Sequence, residues 1–195
     1  MLLNTKIKLY FDGGYSYKRK VGTWGYVIKD EEDNVLKFDR SIVKSDDRNV
    51  TNNVAEYEGL LKGLKYYVYY IDEEDKAPLE IYGDSKMVCK MAGKEWGWSG
   101  NDYNPHPDYP HLREVLHKVH DKLDVIDDYT IKWVPRNKNK FADLLTSVAL
   151  IDKGFKNIKV NCPKCSSGNF NLKKFKNRKP AIICDDCHFS TFIKN

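Results

Sequence analysis

The chain has 195 residues and a mass of 22.7 kDa, room for one ordinary domain with a small appendage. Hydrophobic residues make up 41%, aromatic 13% and charged 31%; that is enough for a packed core, which excludes disorder as the main state, and no apolar run reaches the ~18 residues a membrane helix needs. The net charge of +5 is uneven: 10 of the 33 Lys and Arg but only 3 of the 28 Asp and Glu lie from Ile151 on, a local +7 against −2 before it, so the tail is expected to meet an anionic polymer and no membrane.

Met1 to Asp12 hold no apolar leader and no small-residue cleavage site, so a cytoplasmic location (the host's, for a viral source) is expected. Lys6 to Asp12 alternate as a strand, and Gly13-Gly14 reads as a turn. Thr23 to Lys29 and Val35 to Val43 read as two further strands around the polar Asp30 to Asn34. Thr51 or Asn52 caps a long helix through about Tyr70, with Val54, Leu60, Leu61, Leu64 and Val68 on one stripe. Leu79 to Tyr82 is a short buried strand, and Ser85 to Met91 a helix carrying a buried thiol, Cys89. Residues 92 to 110 are rich in Gly and Pro and read as loop, with Trp96 and Trp98 expected to pack over the sheet. His111 to Asp124 is an amphipathic helix whose His117 and His120 read as surface or pairing residues. Tyr129 to Val134 is a strand and Lys140 to Ile151 the final helix of the body. The order is βββαβααβα, an α/β fold with a mixed five-stranded sheet flanked by helices.

Four of the five cysteines form two Cys-x2-Cys pairs, Cys162 with Cys165 and Cys184 with Cys187, separated by 18 residues. This spacing sets four thiolates around one structural Zn2+ with no open position, and metal binding would supply the folding energy of so small a unit. Two disulfides are the weaker alternative, since the fifth cysteine is odd and no leader is visible. The arrangement resembles a zinc ribbon over residues 161–195, joined by a link at 154–160 to a body at 1–153. Lys173, Lys174, Lys176, Arg178 and Lys179 crowd one stretch of it, among Phe170, Phe175, Phe189 and Phe192. Basic groups neutralise phosphates and aromatics stack on unpaired bases. The plainer reading makes the phenylalanines a mini-core, and a replication or transcription protein is the alternative partner. His188 reads as a bystander beside Cys187.

In the body, four acids sit where solvation is not the easy explanation. Asp12 ends the first strand, Glu56 lies in the first turns of the long helix, Asp84 follows the fourth strand and Asp143 opens the last helix. Carboxylates brought together at strand ends repel unless cations compensate, and hard divalent ions with oxygen ligands do so.

Phe11-Asp12-Gly13-Gly14, Thr51-Asn52-Asn53-Val54-Ala55-Glu56, Gly83-Asp84-Ser85 and the stretch Trp133 to Asp143 together resemble ribonuclease H of the HI type, in that family's order, across residues 5 to 150. The resemblance implies the RNase H-like fold and hydrolysis of the RNA strand of an RNA–DNA hybrid to 5′-phosphate and 3′-hydroxyl. It implies two Mg2+ ions, with Mn2+ as a substitute: Asp12 bridging them, Asp143 on the ion that positions water, Glu56 and Asp84 on the ion near the leaving oxygen. It also implies substrate contacts at Gly13, Gly14, Thr51, Asn52, Asn53 and Ser85, and Lys86 and Asn137 are further candidates at positions that differ from the family. Several positions depart from the pattern. Residues 135 to 142 hold no His, with Asn137 or Lys138 in its region, Lys86 stands where Gln is frequent, the 91–110 stretch is not a basic protrusion, and Arg48 is only near the phosphate pocket that Thr51 matches. The alternatives are a weak or inactive nucleic-acid-binding module and a nuclease of the same fold acting on another duplex.

Overall fold

Alternation at the start of the chain gives a strand with one apolar face. In a computed structural model, which describes residues 6–43, 50–71, 77–106, 108–175 and 178–192, this is β1 (Ile7–Ser16), with Ile7, Leu9 and Phe11 buried. The strand does not turn at Gly13-Gly14 as expected; it continues, pairing Gly13 with Trp24 and Gly14 with Thr23 of β2 (Val21–Lys29). Helix α1 (Asn52–Tyr70) supplies the reason. A Cβ on Gly13 would come within 2.1 Å of the Glu56 backbone nitrogen, so the missing side chain admits the helix and does not reverse the chain.

β2 pairs antiparallel with β3 (Val35–Ile42), and β4 (Leu79–Gly83) lies parallel to β1. After α2 (Lys86–Ala92), the region expected to be loop contains a two-stranded hairpin, β5 (Trp98–Ser99) with β6 (Asp102–Tyr103). Trp96 and Trp98 are 42% and 53% exposed, so they do not pack over the sheet; Trp98 lies against Tyr103 and donates its ring N–H to the Lys94 carbonyl. α3 (Pro110–Leu123) follows, then β7 (Tyr129–Trp133), parallel to β4, and α4 (Lys140–Asp152). The main sheet has the order β3-β2-β1-β4-β7.

α1 covers one face, where Tyr57, Leu60, Leu64 and Tyr67 join Leu9, Phe11 and Ile81 in a core closed by Leu112, Leu116 and Val119 of α3. α4 covers the other, close enough that a Cβ on Gly25 would meet the Leu145 Cβ at 2.6 Å. His117 is exposed, whereas His120 is buried with Nε2 3.3 Å from the Met91 carbonyl oxygen.

The C-terminal part is a three-stranded antiparallel sheet, β8 (Phe170–Phe175), β9 (Arg178–Cys184) and β10 (Ser190–Phe192), in the order β10-β9-β8. It packs on the outer side of α4: Leu144 and Val148 meet Val160 and Ile182, with Phe141, Ile151, Ile158, Phe170 and Phe189 around them. The helix is thus held between two sheets, and the 154–160 segment, expected to be a link, contributes Ile158 and Val160 to this second core. Among the described residues no helix is long and apolar enough to cross a membrane.

Candidate active site

The fold places the four acids through separate elements. Asp12 lies on β1 next to Gly13, on the face opposite Phe11. Glu56 is brought over by the tight α1–β1 approach at Gly13. Asp84 follows the end of β4, and Asp143 stands in the first turn of α4. Thr51 caps α1, its Oγ1 accepting from the Val54 N–H at 3.3 Å, and Ser85 caps α2 by accepting from Val88 at 3.4 Å. Asp12 and Glu56 are buried and Asp84 and Asp143 half-buried.

These positions cost charge. Burial raises Asp12 well above the usual carboxylate range, and the charges of Asp84, Asp143 and Glu56 add to it. Burial also pushes Glu56 up to about 7, against hydrogen bonds from Ser85 and Asn52. Asn52 donates its Nδ2–H to Glu56 Oε1 at 2.7 Å, while the buried Oε2 has no hydrogen-bond partner among the described residues. A buried carboxylate oxygen without a donor, beside three further carboxylates, fits a divalent cation bound through oxygen.

Arg136, in the 3-10 turn Arg136–Lys138 before α4, pairs with Asp143 through Nε at 3.1 Å and through Nη2. Its guanidinium stands where a cation belongs, although the residue is exposed. Asn139 is 1% exposed and donates from Nδ2 both to the Phe11 carbonyl at 2.8 Å and to Asp84 Oδ1 at 3.2 Å. Sequence reasoning singled out Asn137, which is exposed, and missed both Arg136 and Asn139. Their signal was position alone: each falls in the loop that leads into Asp143.

The cysteine cluster is a separate site. The four thiol sulfurs lie within 4.8 Å of one another, with Cys162 to Cys187 at 3.4 Å and Cys165 to Cys184 at 3.6 Å. Such spacings are far from the ~2.05 Å of a disulfide and near the roughly 3.8 Å sulfur–sulfur edge implied by a tetrahedral Zn–S bond of ~2.3 Å. The two turns match: Ser166 N–H bonds the Cys162 carbonyl at 2.8 Å and His188 N–H the Cys184 carbonyl at 2.9 Å. Ser166 and His188 both have positive φ, 65° and 60°, so His188 completes a turn and is no fifth ligand. Among the described residues, this is the one group of three or more candidate ligands packed so closely; the carboxylates form a more open cluster.

Of the other expected contacts, Asn53 lies in the first turn of α1 and Lys86 opens α2, exposed. Lys173, Lys174, Arg178 and Lys179 fall on β8 and β9. Arg48 and Lys176 lie outside the described residues. Cys89 is buried, and burial pushes its thiol up to about 12, as suits an inert core group.

A mixed β3-β2-β1-β4-β7 sheet, with one acid on its central strand and three more gathered from α1, β4 and α4, defines an RNase H-like domain. The chain belongs to the reverse transcriptase-like family, which matches residues 10–149. Ribonuclease HI of Halobacterium salinarum is 27% identical over 147 residues, covering 75% of this chain and 65% of that protein, so the match spans a little under two thirds of that relative. The crystal structure of the RNase H1 of that archaeon superposes with a TM-score of 0.60 at 28% identity, covering 75% of this chain and 98% of that one. LC11-RNase H1, solved in complex with an RNA/DNA hybrid, gives 0.62 at 29% identity over 76% of this chain and 99% of the other. The RNase H domain of a Mycobacterium tuberculosis protein shares the fold, with a TM-score of 0.62 at 24% identity, covering 77% of this chain and 97% of that one.

Proposed function

We propose that the protein is a divalent-metal-dependent endonuclease that hydrolyses the RNA strand of RNA–DNA hybrids. The observation that carries this is the convergence of Asp12, Glu56, Asp84 and Asp143 at an electrostatic cost that Arg136 offsets only in part, with Glu56 Oε2 left without a partner among the described residues. Likeness to Ribonuclease HI and to an RNase H1 bound to RNA/DNA hybrid supports the substrate. Two Mg2+ ions held by these acids would activate the attacking water and stabilise the leaving 3′ oxygen. In this reading Asp12 would serve both ions, Asp143 the first, and Glu56 and Asp84 the second.

The remaining residues orient this set. Asn52 holds Glu56, Asn139 fixes Asp84 against β1, and Gly13 sets the distance between Asp12 and Glu56. Asn52, Asn53 and Thr51 at the start of α1, with Gly14, Ser85, Lys86 and Asn137, form the rim that meets the hybrid. Cys162, Cys165, Cys184 and Cys187 would hold a structural Zn2+, which would keep the ribbon folded against α4.

Cleavage of labelled RNA–DNA hybrid, RNA duplex and DNA duplex with Mg2+, for the wild type and Asp84→Asn, tests the assignment. RNA-strand cleavage confined to the hybrid and lost in the folded variant is expected. An active Asp84→Asn enzyme, or a wild type that cuts nothing with Mg2+ or Mn2+, overturns it.

A further inference from the structure

Where the ribbon meets the body, a cavity of about 490 Å3 opens on the α4 side of the sheet. Three parts of the chain line it: Tyr10, Val27, Lys29, Asp33 and Val35 from the β1–β3 side of the sheet, residues 137–142 from the loop into α4, and Pro163, Lys164 and Phe189 from the two cysteine turns. The docked ribbon supplies one of its walls.

Its charge is one-sided. Lys29, Lys138, Lys140 and Lys164 line it, and the only lining acid is Asp33, which is already paired with Lys8 at 3.1 Å. Among the described residues no carboxylate forms an ion pair with any of the four lysines. Lys140 donates to Ser166 Oγ at 2.8 Å, and the Lys29 ammonium stands 5.3 Å from the centroid of the Tyr10 ring. Cations gathered without counter-charges call for an anion. Between them lie apolar and aromatic walls, Tyr10, Phe141 and Phe189, of the kind on which unpaired bases rest.

A second observation points the same way. Asn139 lines the cavity and is 1% exposed, yet its Oδ1 has no hydrogen-bond partner among the described residues, while its Nδ2 is committed to Phe11 and Asp84. One side chain is therefore shared by the carboxylate cluster and the cavity. Its Oδ1 is an unused acceptor buried at the wall that the two share, the kind of group that donors on nucleobases or ribose hydroxyls satisfy.

We propose that this cleft binds a single-stranded stretch of nucleic acid that continues from the duplex engaged at the carboxylates, its phosphates taken by Lys29, Lys138, Lys140 and Lys164 and its bases by the aromatic walls. The volume falls within the ~300–1,000 Å3 of small-ligand pockets, which suits a few unpaired nucleotides and excludes a duplex. A strand is favoured over a free nucleotide because the cleft adjoins the carboxylates and the chain from Ile151 on carries a formal net +7. The protein would thus prefer hybrids with an overhang, and the ribbon would select substrate form, not merely raise affinity. This rests on the nuclease reading for its duplex but not for its ligand chemistry.

The test is fluorescence anisotropy with the full, zinc-loaded chain carrying Asp84→Asn. Probes are a blunt RNA–DNA hybrid, the same hybrid with a short RNA or DNA overhang at either end, a short RNA oligomer and AMP. One overhang is expected to tighten binding about tenfold, within what stacking of one base contributes. Lys29→Gln with Lys164→Gln should remove that gain, leave blunt hybrid unchanged and lower the salt slope by roughly 1.4, at about 0.7 per phosphate contact of a single strand. No gain from any overhang, or a gain that survives both substitutions, overturns the cleft as a strand site. AMP competing as well as the oligomer makes it a nucleotide site instead. Failure of the nuclease reading would appear separately, as a wild type that binds overhangs but cuts no hybrid.

Discussion

Arg40 of β3 and Asp152 at the end of α4 form a two-point ion pair beneath the ribbon: Nε donates to Oδ2 at 2.9 Å and Nη2 to Oδ1 at 3.4 Å, with the Arg40 side chain 1% exposed. Nη1 reaches Thr191 Oγ1 of β10 at 3.5 Å, so one guanidinium ties sheet, helix and ribbon. Removing one member takes from the other, largely buried charge its two-point counter-ion. Arg40→Met is expected to cost about 3–5 kcal/mol in urea unfolding, and adding Asp152→Leu to recover much of it. A single-variant loss under about 1 kcal/mol would show the pair to be dispensable.

That pair also marks the limit of what was legible in the sequence. The acids, the cysteines and the element order were readable because chemistry or periodicity demands those residues locally. Arg40 looks like an ordinary charge on a half-buried strand, and its partner is 112 residues away. The docking of the ribbon did leave a trace: α4 is apolar on two opposite sides, with Leu145 and Ala142 toward the sheet and Leu144, Val148 and Ile151 away from it, and such a helix is covered from both. Gly13-Gly14 misled for a related reason. A glycine pair reads as a turn from local rules, whereas here Gly13 answers to a helix that arrives from elsewhere in the chain.

Arg136 holds the position beside Asp143 that a metal ion bound there would take. The pair is exposed on the arginine side and worth no more than about 1 kcal/mol. Arg136→Ala is therefore expected to lower the half-saturating Mg2+ concentration, by up to about fivefold. Titration of cleavage rate against Mg2+ checks it. A higher Mg2+ requirement in the variant would mean that Arg136 assists the metal site rather than occupying it.

Glu56 links stability to pH. Its folded pKa, about 7, exceeds the ordinary 4.5, chiefly because burial penalises the anion. The folded state then binds more protons than the unfolded one, so the group's contribution is fully present below about pH 4.5 and is lost as pH rises through about 7. Zinc-loaded protein without Mg2+ should be less stable than Glu56→Gln at pH 8, with the gap closing near pH 5. His106 and His120, both lowered by burial, titrate in the two proteins alike and cancel. Paired thermal scans measure the gap; one that does not change with pH would show that Glu56 is not perturbed.

Zinc removal should reach the carboxylate cluster through α4. Structural zinc contributes about 10–16 kcal/mol of binding free energy in small metal-folded units, far more than the ribbon's own core can replace. Without it, Val160, Ile182 and Phe189 would leave Leu144, Val148 and Phe141, and each large side chain returned to water costs about 1.5–3 kcal/mol. The same helix carries Asp143 in its first turn and Ala142 against Gly25. A zinc-selective chelator, or Cys184→Ser, is therefore expected to speed hydrogen exchange along residues 141–151 while α1 amides keep their protection. Cleavage should fall in parallel even with Mg2+ in excess. Faster exchange confined to residues 161–192 would mean that α4 stands without the ribbon, and that the ion pair at Arg40 alone holds the helix end in place.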